Sequence, residues 1–176
     1  MEYEDKYAIF IECSDSVKSK GHYWGVVGSL IKNKQIDRFY LWNHNVREVT
    51  RDDVKYNQEF LKGWGKPDTS AVARKIVQEK IASVILVTAT EVDSNMVSKT
   101  DDVLEAVKKN FQIQSSICYI VSDHYVNLSS ICPFIRYGDC YLYDKFKGSE
   151  IRLLAHHQQI DKVNLNFLNY INLTNF

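Results

Sequence analysis

The stretch YAIFIECSDS, residues 7–16, starts as a continuous apolar run and ends in polar and acidic residues. A short apolar run of this kind is typical of a strand that is buried on both faces, as in parallel sheets covered by helices. Residues 12–16 would then form the loop at the carboxyl end of the strand. This stretch predicts an α/β fold in which Tyr7–Ile11 is a buried strand.

Strand-like and helical patterns alternate along the rest of the chain. The first helix should pack closely against its neighbours, because glycines stand at positions 21, 25 and 28. The predicted elements are, in order, a helix carrying Tyr23 to Ile31, an antiparallel pair at Ile36–Trp42 and Val46–Thr50, helices at Asp52–Leu61 and from Asp68, a buried strand at Ser83–Thr88, a helix spanning Val97 to Phe111, and strands at Ser116–Ser122 and Cys140–Tyr143.

Strands that alternate with helices imply right-handed crossovers and a largely parallel sheet. We therefore expect one domain, residues 1–176, with a three-layer α/β fold. Its sheet should be open and mostly parallel, with one antiparallel edge strand and helices on both faces. Apolar residues from Ile160 to Ile171 predict a further helix near the C-terminus.

The chain is electrically balanced, with 22 Lys and Arg against 22 Asp and Glu. A neutral chain lacks the general attraction to phosphate backbones and anionic lipid, so neither nucleic acid nor a membrane is an expected partner. The acidic start predicts no signal peptide, and no apolar run approaches the roughly 20 residues that span a bilayer. We expect a cytoplasmic protein whose four cysteines, Cys13, Cys118, Cys132 and Cys140, are reduced.

Three predicted loops meet at the carboxyl edge of the sheet, where open α/β sheets bind ligands. They comprise residues 12–16, 63–70 and 88–93, and each contains hydroxyl or carboxylate groups. Oxygen ligands of this kind suit a hard cation such as Mg²⁺. The sequence therefore directs attention to this edge.

In order and rough spacing, these loops resemble the metal-dependent adhesion site of the von Willebrand factor A (vWA) family, across about the first 125 residues. Residues 12–16, ECSDS, correspond to the family's Asp-x-Ser-x-Ser, residues 63–69 to its threonine loop, and residues 88–93 to the segment carrying its later Asp. The resemblance implies a vWA-like fold with Glu12, Ser14, Ser16 and Thr69 as metal ligands.

Two replacements weaken the implied metal site. Glu12 stands where the family has Asp, and Ala89 stands where its later Asp falls. Since Mg²⁺ resists dehydration, moving one carboxylate and removing another should weaken its binding. We therefore expect a vestigial site with no cofactor or with weakly bound Mg²⁺ or Mn²⁺, unless a shifted loop lets Glu91 or Asp93 supply the missing charge.

These features predict a protein-interaction module that binds a protein partner through the same edge. The residues expected to contact the partner are Asp15, Trp64, Asp68, Glu91 and Asp93. The neutral charge balance also leaves self-association into a homo-oligomer open.

Each of these loop residues has a structural alternative. Ser14 or Ser16 could cap the first helix, Asp68 or Thr69 could cap a later one, and Glu91 could be solvated. Aromatic residues in or near the loops could anchor a partner or could equally close the edges of the core, with Trp42 and the turn Pro133–Arg136 among them.

Two other functional classes remain open. A hydrolase or phosphoacceptor enzyme could use the same loops, and an assembly protein could use the fold to present an oligomer interface. Catalysis is the weaker reading, because the chain has no Gly-x-Ser-x-Gly elbow and no histidine evidently paired with Ser14 or Cys13. No catalytic residue is assigned.

Overall fold

A computed structural model describes residues 6–17, 21–56, 62–89, 94–122, 132–135, 138–144 and 151–156. The strands are β1 Tyr7–Glu12, β2 Ile36–Trp42, β3 Val46–Val49, β4 Ser83–Thr88, β5 Ser115–Ser122, β6 Gly138–Asp144 and β7 Ile151–His156. The helices are α1 Gly21–Leu30, α2 Arg51–Tyr56, α3 Thr69–Glu79, α4 Ser94–Ala106 and α5 Cys132–Ile135.

The strands form one sheet in the order β3-β2-β1-β4-β5-β6-β7. β2, β1, β4, β5 and β6 run parallel, as the alternating pattern predicted. β3 is the predicted antiparallel edge strand, paired so that Trp42 faces Val46. A second antiparallel strand, β7, closes the opposite edge against β6 and was not predicted.

Helices cover both faces of the sheet. Alternate residues of β1 point to opposite sides, so Ala8 and Phe10 join one apolar core while Ile9 and Ile11 join the other. α3, α4 and α5 contribute to the first core, and α1 and α2 contribute to the second. The three-layer α/β architecture expected from the sequence is therefore confirmed. No helix in the described ranges is long and apolar enough to cross a membrane.

α3 begins where the sequence predicted a helix start. Asp68 is extended and caps the helix, because its carboxylate accepts hydrogen bonds from the amide and the hydroxyl of Ser70. The structural alternative for Asp68 is thus confirmed. Neither Ser14 nor Ser16 can cap α1, which begins only at Gly21.

One expectation about individual residues is wrong, one is decided between its two alternatives, and one is not tested. The glycines of α1 do not mark close packing, since an added Cβ at Gly21, Gly25 or Gly28 would meet nothing within 4 Å. Trp42 and Phe134 are not exposed anchors but fully buried core residues. The predicted helix over residues 160–171 lies outside the described residues.

Candidate functional site

The chain leaves β1 toward β2 on one side and later returns to place β4 on the other side. The carboxyl ends of β1 and β4 therefore flank the point where the strand order reverses, which is where open α/β sheets form their ligand crevices. Glu12 ends β1 and Thr88 ends β4. The predicted loops do meet at this edge.

Glu12 is fully buried here, and its side chain is surrounded by hydrogen-bond donors. Its Oε2 accepts from the hydroxyl of Ser14 at 2.6 Å. Its Oε1 accepts from the hydroxyl of Thr88 at 2.7 Å and from the amide of Ala89 at 3.3 Å. Burying a carboxylate is costly unless such bonds compensate for the lost water. Glu12 occupies the first position of the implied metal motif. In this structure its side chain instead holds the ends of β1 and β4 together.

Tyr23 of α1 packs in the second core and contacts Glu12 from that side of the sheet. It is fully buried, and its hydroxyl donates to the backbone oxygen of Glu12 at 2.8 Å. Burial raises the pKa of Tyr23 well above its ordinary value, and the nearby Glu12 carboxylate raises it further. Tyr23 therefore acts as a neutral donor.

Backbone hydrogen bonds join the neighbouring loops into one unit, which we call the loop scaffold: residues 13–15, 43–45 and 62–68. The amide of Cys13 donates to Trp42 O at 2.7 Å, and its carbonyl accepts from the Trp64 amide at 3.2 Å. The Asp15 amide donates to Gly65 O, and the Asp68 amide donates to Asn43 O, each at 2.9 Å. These hydrogen bonds restrain the three loops relative to one another.

The buried side chain of Asn43 lies at the centre of the loop scaffold. Its Nδ2 donates to the Trp64 carbonyl at 3.0 Å and to the Cys13 carbonyl at 3.5 Å. Its Oδ1 accepts from the Asn45 amide at 2.9 Å. One amide side chain therefore holds all three loops in register.

The loop scaffold presents one large aromatic side chain to solvent. Trp64 is 47% exposed, and its ring meets that of His44 edge to face, with centroids 5.1 Å apart. Gly65 makes this arrangement possible, since its φ is +72° and a Cβ there would lie 2.8 Å from Nδ1 of His44. Both the backbone and the available space at position 65 require glycine.

A small cleft of about 240 Å³ opens beside Trp64. The described residues that line it come from the loop scaffold and from β2 and β3: Cys13, Leu41, Trp42, Asn43, Asn45, Arg47 and Trp64. Burial raises the pKa of the Cys13 thiol from 9.0 to about 11, although Arg47 partly opposes the rise. Because the thiolate is the nucleophile, Cys13 is suited to packing rather than to covalent chemistry at neutral pH.

Thr69, the fourth expected metal ligand, turns toward a different partner. It is buried, and its hydroxyl lies 2.8 Å from that of Thr100 on α4. Thr100 in turn donates to the carbonyl of Met96 at 2.6 Å, so Thr69 is the donor to Thr100. This chain of bonds joins α3 to α4.

The remaining predicted site residues differ in their contacts and their exposure. Ser16 bonds through its backbone, its amide donating to the Ser14 hydroxyl at 3.2 Å. Asp15 is exposed beside the loop scaffold, whereas Asp68 is occupied in capping α3 and lies 3.9 Å from the Arg74 guanidinium. Glu91 and Asp93 lie outside the described residues.

Two residues that organise this edge, Thr88 and Asn43, were not assigned as site residues from the sequence. Thr88 was placed only at the end of a predicted strand, and Asn43 lies in the connection between the two predicted antiparallel strands. Their polar character after apolar strands was the available signal, but their roles depend on partners 76 residues away for Thr88 and 21 for the Asn43 bond to Trp64. Comparison with known proteins finds no family model that matches the chain and no curated protein with significant similarity.

Proposed function

We propose that this chain is a protein-binding module of the vWA type with a lost metal site, and that Trp64 anchors its partner. The observation that carries the proposal is a half-exposed tryptophan held edge-on to His44 by a hydrogen-bonded loop scaffold. An aromatic side chain that is already ordered loses little entropy on binding, and tryptophan is enriched among residues that dominate interface energies.

The donor set at the edge does not fit a Mg²⁺ ion. Mg²⁺ requires near-octahedral oxygen ligands, including accessible carboxylates. Glu12 is fully buried and saturated by Ser14, Thr88 and the Ala89 amide, while Thr69 bonds to Thr100. Position 89 supplies no ligand side chain. In the vWA family a cation would lie at this motif. Here the Glu12 carboxylate accepts hydrogen bonds from the protein instead.

The surroundings of Trp64 favour a protein over a small polar metabolite. Exposed side chains of both signs flank it, with Asp15 on one loop, Lys66 on the next and Arg47 on β3. A mixed rim around an aromatic anchor is the usual anatomy of a protein interface. The cleft of about 240 Å³ is smaller than typical small-molecule sites but large enough to admit a side chain of the partner.

The support for a vWA type comes from the architecture and not from sequence similarity. The sequence pattern predicted an open, mostly parallel sheet with one antiparallel edge strand, and β3 occupies that place beside β2, while β7 is a second antiparallel strand at the other edge. The three loops quoted for the resemblance begin at the carboxyl ends of β1 and β4 and before α3.

A quantitative affinity capture tests the proposal. Wild-type protein, Trp64→Ala and Tyr56→Ala are used as baits, and bound proteins are quantified by mass spectrometry. Tyr56 is the matched control because it is the other large exposed aromatic among the described residues, at 68% exposure on α2. We expect a partner set that Tyr56→Ala retains and Trp64→Ala loses by about tenfold or more. Equal recovery by Trp64→Ala and wild type would refute the proposal.

Light scattering on the same variants separates a different protein from a second copy of this chain. A wild-type mass above that of the monomer that falls to the monomer value in Trp64→Ala would assign the edge to self-association. A mass that is the same in both variants leaves a different protein as the partner.

A further inference from the structure

A second recess lies away from the candidate site, between α1 and the start of α2. This groove has a volume of about 550 Å³, within the range of known ligand sites. The described residues that line it are Trp24, Gly25, Val27, Gly28, Ser29, Ile31, Lys32, Arg51, Val54 and Lys55. Arg51 donates hydrogen bonds to the backbone oxygens of Ile31 and Ile36. The groove therefore lies near the amino end of β2, whereas Trp64 lies near the carboxyl ends of the parallel strands.

The floor of the groove is apolar and formed by buried core residues, with open space beside it. Val27, Ile31 and Val54 belong to the second core, and Gly25 and Gly28 leave open space above them. Glycine inside a helix lowers its stability relative to alanine, and neither position shows a packing constraint or a positive φ that would require glycine. What the two glycines do provide is room for an apolar side chain from outside.

The rim of the groove is positively charged. Lys32, Arg51 and Lys55 line it, and none of the described lining residues is acidic. Arg51 is held in place by donating to the carbonyls of Ile31, Asn33 and Ile36. Carbonyl acceptors are neutral, so these bonds orient the guanidinium without cancelling its charge.

We infer that this groove binds an acidic peptide segment of a protein partner. An apolar side chain of that segment would fill the space above Gly25 and Gly28, and its carboxylates would lie against Lys32 and Lys55. The charge of the rim selects an acidic segment, and the open space at Gly25 and Gly28 gives room for an apolar anchor that a free anion would not need. This surface is distinct from the one around Trp64, so one domain presents two docking sites.

Peptide selection with a blocked variant tests this inference. A displayed library of random peptides is selected on wild-type protein after depletion on Gly28→Leu. A Cβ at position 28 meets nothing within 4 Å, so the leucine side chain is expected to occupy the groove. Gly21→Leu is the matched control, because position 21 is equally open but does not line the groove. Circular dichroism and thermal melting confirm that each variant is folded.

The expected result is enrichment of peptides that combine Asp or Glu with an apolar residue. Their affinity should fall about tenfold or more in Gly28→Leu and in the double variant Lys32→Glu/Lys55→Glu, and should weaken as salt is added. Gly21→Leu and Trp64→Ala should bind them like wild type. Enriched peptides without acidic residues, equal binding to Gly28→Leu, or no enrichment at all would overturn the inference. Loss of binding in Trp64→Ala alone would assign the peptides to the other surface.

Discussion

The hydroxyl of Thr88 donates a hydrogen bond of 2.7 Å to Oε1 of Glu12, and this bond joins the carboxyl ends of β4 and β1. Both residues are fully buried. The pair links two strands at the point where the sheet reverses its order. It therefore contributes to the stability of the same edge that presents Trp64.

Removing this bond should destabilise the fold. Thr88→Val keeps the shape but leaves a buried carboxylate oxygen one donor short, which should cost about 1–3 kcal/mol of unfolding free energy. Thr88→Ser keeps the hydroxyl and loses one methyl group, which should cost about 0.8 kcal/mol. Urea denaturation measures both, and a double-mutant cycle with Glu12→Gln isolates the pairwise coupling. A Thr88→Val variant as stable as wild type would contradict the role given to Thr88.

Millimolar Mg²⁺ or Mn²⁺ should leave the melting temperature unchanged. A ligand stabilises a protein only when it binds the folded state, and the carboxylate of Glu12 already accepts from Ser14, Thr88 and Ala89. Differential scanning fluorimetry with and without EDTA measures the effect. A rise in melting temperature that Ser14→Ala abolishes would show that the edge does hold a cation.

Two glycine substitutions should act in opposite directions. Gly65→Ala places a Cβ at a φ of +72° and 2.8 Å from His44 Nδ1, so it should lower stability by more than about 1 kcal/mol. Gly25→Ala enters open space in α1 and should raise stability by about 0.5–1 kcal/mol. Chemical denaturation followed by tryptophan fluorescence compares them. The assigned loop geometry fails if Gly65→Ala is neutral.

Stability should decline at alkaline pH, in part because of Cys13. Its pKa is raised by burial from 9.0 to about 11, so the folded state holds the thiol proton more tightly than the unfolded state does. That contribution is fully present below pH 9.0 and is lost as the pH rises to about 11. Burial also raises the pKa of Cys118, to about 12, so the background trend has the same sign.

The test is the difference in slope between wild type and Cys13→Ala. Unfolding free energies measured across this pH window should fall less steeply in the variant. Parallel pH profiles would show that Cys13 is not protonated more strongly in the folded state.

Much of the fold could be predicted from the sequence because its signals are local. The apolar run of β4 predicted a buried strand with the bounds that the structure has, and Asp68 predicted the start of α3. The edge strand β7 was missed, since its residues, IRLLAH at 151–156, contain a single β-branched residue and no strict alternation of apolar and polar positions. The α1 glycines were misread because composition cannot distinguish close packing from open space.

The site was only partly predictable for the same reason. The sequence shows directly that hydroxyl and carboxylate groups follow β1 and β4. The structure does bring Glu12 and Ser14 together. Thr69 was expected beside them, yet its hydroxyl bonds to Thr100 on α4. Position along the chain does not determine which of several nearby polar groups a hydroxyl will meet.

The sequence by itself determined the alternation of strands and helices, the carboxyl-edge loops and their polar chemistry, because periodicity and capping act over a few residues. Only the tertiary structure decided that Glu12 is buried under its own donors, that Asn43 holds Trp64 in place, and that a basic groove opens over Gly25 and Gly28. Those outcomes depend on contacts between distant segments. The energy of a buried polar group is set by the partners that the fold brings to it.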